Sequence, residues 1–235
     1  MRKNLIAAVA ILIACAPARV LAVGANIDWD PIFTWEPGAT ATNSPFGGEL
    51  KGVGVISDFN APFDDLDPND PNKEYTIYLY GLISQGTTTQ GPPSFTFYTT
   101  TYQGGFIEIY EGTPRNAAFD PNPPNANVPS TFTDGTLILS GTFTSFFTHT
   151  NNFTTFMTGN MEGSIDFTGG TLLDRVRDNG GDPCPGLFTG GVTWNPDVLI
   201  PGYIFRHDGK IDLNCPVPVE EKSWGTIKSS YGKGE

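Results

Sequence analysis

The stretch 134–168 alternates apolar and polar residues along two arms, and a period of two commits it to β structure. Leu137, Leu139, Phe143 and Phe147 hold odd positions, with Ser140, Thr142, Thr144, Thr148 and Thr150 between them. Met157, Met161, Ile165 and Phe167 carry the odd face on beyond Asn151, Asn152 and Phe153. The pattern predicts one long hairpin turning about residue 152, with Leu137 opposite Phe167, Phe143 opposite Met161 and Phe147 opposite Met157. A slip of one residue would set Phe147 against Phe156 and mix the faces. Phe146 and Phe156 interrupt the even face, which predicts a cover from another element.

The flanking sequence adds strands. Residues 49–59 alternate around Val53 and Val55. Residues 75–84 carry bulk on both faces, Tyr75, Ile77 and Leu79 on one and Tyr78, Tyr80 and Leu82 on the other, as in a strand covered on both sides. Residues 94–102 and 106–110 predict a second hairpin across Gln103-Gly104-Gly105, because paired glycines supply the positive φ of tight turns. Tyr98, Tyr102, Phe106 and Tyr110 then share its even face. Aromatic faces stack on pyranose CH groups, so Tyr98, Tyr102 and Tyr110 are candidate ligand-binding residues, although packing between sheets is the commoner use of such a row. Residues 111–129 are rich in Asn and Pro without periodicity and predict a long surface crossover between two sheets. Towards the C-terminus, 171–178 predicts a short helix and 187–194 a strand, and 203–213 predicts a small hairpin about Asp208-Gly209.

Arg2 and Lys3, an apolar run and then Val20-Leu21-Ala22 read as a secretory signal cleaved after Ala22, with lipid attachment at Cys15 as the alternative. Nothing later is long and apolar enough for a membrane-spanning helix. Export leaves Cys184 and Cys215 as an even pair in an oxidising compartment, for which a disulfide is the simplest assignment. The chain has 13 basic and 25 acidic residues, a formal charge of −12, so nucleic acid and anionic membrane are poor partners. Asp65, Asp67 and Asn69 alternate like the first half of a calcium loop. Asp70 then stands where that loop needs glycine and Thr76 where it needs a bidentate Glu, so a solvated Asp/Asn/Pro turn is weighed beside a structural calcium ion. After Cys215 a Pro-rich linker leads to Trp224, Ile227 and Tyr231, spaced for one face of a short helix that would dock on a partner.

Tyr102-Gln-Gly-Gly-Phe-Ile-Glu-Ile-Tyr110, the Asn/Pro-rich stretch after it, and Phe132-Thr-Asp-Gly-Thr-Leu-Ile-Leu-Ser-Gly141 resemble secreted bacterial proteins of the PEP-CTERM type over 74–167. The resemblance implies a surface or extracellular-matrix setting tied to exopolysaccharide and supplies no catalytic residues. A Pro-Glu-Pro signal followed by an apolar helix and a basic end is missing, which sets the chain apart from that type in its sorting.

Neither a metalloprotease motif, a nucleophile elbow nor a P-loop is present, and His149 and His207 read as structural. These readings predict an all-β, antiparallel two-sheet sandwich or jelly roll with long Pro/Asn-rich connections over 23–170, a disulfide-stapled extension over 171–216 and a tail over 217–235. The expected function is non-catalytic, a secreted cell-surface or matrix protein presenting β surfaces to polysaccharide or protein neighbours. A carbohydrate-binding module with a structural calcium ion is the alternative, and a glycoside hydrolase the third reading.

Overall fold

A computed structural model describes residues 25–119, 128–153, 156–178, 180–193 and 199–215. The expected signal with Cys15, and the tail bearing Trp224, Ile227 and Tyr231, lie outside the described residues. The strands are β1 (Ile27–Trp35), β2 (Glu49–Phe59), β3 (Glu74–Gln90), β4 (Phe95–Gln103), β5 (Phe106–Gly112), β6 (Thr136–Phe153), β7 (Met157–Gly169), β8 (Gly186–Thr193) and β9 (Phe205–Leu213). Every pairing between them is antiparallel, and consecutive strands pair throughout except β4 and β5, which both lie between β3 and β6. Last pairs with first, Ile27 opposite Ile211 and Ile32 opposite His207, so the sheet closes into an eight-stranded up-and-down barrel.

The chain is therefore all-β, as its alternation requires, but it forms one closed sheet instead of a sandwich or jelly roll. Two expected hairpins are corrected with it. β4 and β5 are halves of a single stave, both lying between β3 and β6. Gly104 (φ 71°) and Gly105 (φ 107°) bend that stave without reversing it, and a Cβ on Gly105 would fall 2.3 Å from Leu82 Cδ2. β9 likewise runs straight through Asp208-Gly209. Gly209 and its cross-strand partner Gly190 leave space for the Trp29 indole, because a Cβ on either would lie within 2.6 Å of its ring. The region 171–216, expected as an extension, supplies β8 and β9 and closes the wall.

The register of the opening hairpin is also corrected. Gly141 faces Phe167, Phe143 faces Ile165 and Thr148 faces Met161, about four residues away from the expected pairing. A bulge between Phe143 and Ser145 switches the inward parity of β6. Leu139 and Phe143 point inward before it, and Phe146 and Thr150 after it, so Phe146 needs no cover from elsewhere.

The interior is graded along the barrel axis. Trp29 stacks on Phe188 with centroids 5.2 Å apart, and Phe143, Phe146, Met161, Ile165 and Ile107 fill the middle. Phe63 and Leu66 from the β2–β3 connection and Val176 from a 3₁₀ turn at Leu173–Val176 close one end. The Cys184–Cys215 disulfide ties the start of β8 to the end of β9 at this end. Eight strands enclose a bore that side chains can fill, and here they do. The 113–135 connection joins neighbouring strands and does not cross between sheets. Its Phe119 and Phe132 pack outside the barrel on Phe33 and Val53, which explains the bulk on both faces of β2 and β3.

Candidate functional site

The other end of the barrel is chemically distinct. It is built from the β1–β2 connection (36–48), the β3–β4 tip, the β6–β7 tip and the β8–β9 connection. The sequence has no Asp, Glu, Lys or Arg across 37–48, 75–107 or 135–161, although the chain as a whole carries 38 such residues, 25 acidic and 13 basic. Those three stretches contribute most of this end.

Inside it, the bore turns polar. Glu36, at the end of β1, is 3% exposed; it accepts hydrogen bonds from Ser44 Oγ at 2.6 Å and from Tyr102 OH at 3.1 Å. Burial pushes the Glu36 carboxyl above the ordinary carboxylate range, against the pull of those two donors. Ser44 holds the β1–β2 connection over the opening like a latch: its N–H donates to Thr87 Oγ1 at 2.7 Å, and its Oγ lies 2.6 Å from Ser84 Oγ. Thr34, Thr100, Thr148, Thr150 and Tyr98 complete a hydroxyl-lined chamber with about 20 Å³ open to water centres, room for about one water. Next to it His207, 1% exposed, shares a 3.1 Å hydrogen bond with Thr34 through Nε2. Its Nδ1 has no partner among the described residues, and burial lowers its pKa to about 3, so it is a neutral structural imidazole.

Outside, the tips of β4 and β6 and the residue before β7 carry an aromatic strip. Phe95 faces Phe153 across the β4–β6 pairing with centroids 4.5 Å apart; Phe97 packs edge-on to Phe95 at 4.3 Å, and Phe156 stacks on Phe153 at 4.4 Å. Phe156 remains 55% exposed. The next cross-strand row is Gln90, Phe97, Asn151 and Thr158, and the one after it Thr88, Thr99, His149 and Asn160. His149 belongs to this outer face, where its Nδ1 lies 2.8 Å from Thr99 Oγ1; without the bulge in β6 its odd position would have turned it inward with Leu139 and Phe143.

The sequence-derived candidates are dispersed. Tyr98 and Tyr102 line the chamber, Tyr102 almost wholly buried, while Tyr110 stands on the outer wall with its hydroxyl 2.6 Å from Glu108. The bend at Gly104-Gly105 inverts the parity between them, so the three do not share a face. Near Tyr110, Tyr78, Tyr80 and Phe106 stack on one another at 4.8 and 5.1 Å in a separate ladder. Of the acidic loop, Asp65 pairs with Arg175, and Asp67 accepts the Asn69 N–H at 2.9 Å in an Asx turn. The phenylalanine strip was missed because it assembles across β4, β6 and the tip between β6 and β7; the signal within reach was the pair of long charge-free stretches. Protein-family models, curated proteins and solved structures contain no match to the chain.

Proposed function

We propose that the chain is an exported, non-catalytic surface or matrix protein that uses the barrel as a rigid scaffold and presents its outer wall to polysaccharide or protein neighbours. One observation carries the reading. The bore is filled down to a water-sized chamber, whereas solvent-accessible aromatic side chains gather on the outside of the uncharged end. A contiguous exposed apolar patch on an otherwise acidic protein is the usual mark of an interaction surface. The extracellular setting rests on the expected export signal and on the exopolysaccharide-linked type that 74–167 resembles. The carbohydrate-binding alternative is absorbed here with different residues, since Tyr102 is enclosed.

Fractionation of producing cells tests this reading. The protein is expected in the matrix or surface fraction, with release into the medium when Phe95 and Phe156 are both changed to Ser. Retention inside the cell, or free wild-type protein in the medium with no matrix-bound fraction, would overturn it.

A further inference from the structure

We infer that the neighbour recognised by the aromatic strip is an uncharged polysaccharide, laid across β4 and the β6–β7 tip with its pyranose CH faces on Phe95, Phe97, Phe153 and Phe156. The inference rests on the reading above and narrows it to one ligand class.

Three observations support it. Firstly, the rings are contiguous, with neighbouring centroids 4.3 to 4.5 Å apart, so they form one extended apolar surface instead of isolated side chains. Secondly, the row beside them sets Phe97 between Gln90 and Asn151, with Thr158 beyond. Amides and hydroxyls both donate and accept, which suits the alternating demands of sugar hydroxyls and would be out of place in a surface meant for lipid.

Thirdly, charge separates the ligand classes. With a formal charge of −12, the protein repels a polyanion at long range, and 75–107 and 135–161 offer no Lys or Arg to hold carboxylate or sulfate groups. An uncharged glycan feels neither effect. A second copy of the chain would bring the same net charge to the interface, so self-association is the less favourable occupant.

The test is native electrophoresis of the exported protein through gels containing hydroxyethyl cellulose as the neutral polymer or alginate as the anionic one, at low and high salt. The expected result is retardation by the neutral polymer that persists at high salt. Phe156→Ala should weaken it about tenfold, as expected of a central aromatic contact, while Phe106→Ala, on the separate ladder, leaves it intact. Thr158→Glu, an outward substitution that leaves the core alone, should also abolish retardation and guards against misfolding of the phenylalanine variant. Retardation by alginate alone, or loss of binding at high salt, would overturn the ligand class. Retardation unchanged in Phe156→Ala and Thr158→Glu would overturn the strip. If neither polymer retards a protein that fractionation nevertheless places in the matrix, the polysaccharide fails while the surface role stands. A mass that doubles with concentration in light scattering, and does not in Phe156→Ala, would identify a second copy as the occupant and likewise overturn the inference.

Discussion

The two ends of the barrel are held by different physics. At the apolar, charged end, long connections are organised by exposed ion pairs and a covalent bond: Arg175 with Asp65, Lys73 with Glu111 at 2.9 Å, Arg177 with Asp174 at 3.2 Å, and Cys184 with Cys215. At the other end the β3–β4 and β6–β7 tips carry no charged residue, the charges nearest them being paired on the wall (Lys51 with Glu49 at 3.3 Å, Arg206 with Asp30), and the titratable groups Glu36 and His207 are buried inside the bore. Exposed charges respond to salt, whereas buried titratable groups respond to pH. The contrast shows how an acidic protein keeps one patch neutral: the aromatic strip sits on the two tips whose sequence carries no charged residue.

Substitutions at each end break the comparison in different ways. The largest effect is expected from replacing Cys184 and Cys215 together with Ser. Their sequence separation of 31 residues implies a loss of about 3–4 kcal/mol on the chain-entropy model, read as a lower urea midpoint. No change in the midpoint would mean the charged end holds without its covalent tie. At the uncharged end, Ser44→Ala removes the donor to Glu36 and the contact with Ser84, at a cost of about 2 kcal/mol because a buried carboxylate loses a partner. Hydrogen exchange should rise first in 36–48; exchange rising uniformly would show that the latch does not act locally.

The pH response comes next. Because the pKa of folded His207 is about 3, against about 6.5 unfolded, the unfolded chain binds a proton that the folded barrel refuses between those values. Its contribution is fully present above pH 6.5 and is lost at about 1.4 kcal/mol per pH unit as the pH falls towards 3. Glu36 acts with the opposite sign. Its folded pKa is raised, so its contribution is present below the unfolded pKa and is lost as pH rises through the folded one. Urea melts at pH 6.5 and 5 should give a shallower loss in His207→Gln and a steeper one in Glu36→Gln. Equal slopes in all three proteins would remove the assignment. The smallest effect belongs to Arg175→Ala, whose partner Asp65 is exposed: the midpoint should hardly move, and the small change should vanish in high salt.

Part of this architecture is written locally. Residues 49–59 match β2, β7 keeps Met161, Ile165 and Phe167 inward as the alternation requires, and 171–178 contains a single 3₁₀ turn. Cys184 and Cys215 are bonded, as their number and the expected compartment implied. The misreadings share a cause. Gly104-Gly105 and Asp208-Gly209 look like turns, yet the first bends a stave and the second clears space for Trp29, a residue about 180 positions away in the chain. The shift of β6 by its bulge likewise moves Phe146 inward and His149 outward.

Strand identity was legible because the pleat alternates side chains with a fixed period, so each segment records which of its faces avoids water. Closure was not, because pairing β1 with β9 uses backbone hydrogen bonds that every residue but proline can make and that leave no mark on either strand alone. The same holds for the candidate site. Phe95, Phe97, Phe153 and Phe156 are unremarkable in their own segments, and they become one surface only when antiparallel pairing sets β4 beside β6 and turns β6 into β7.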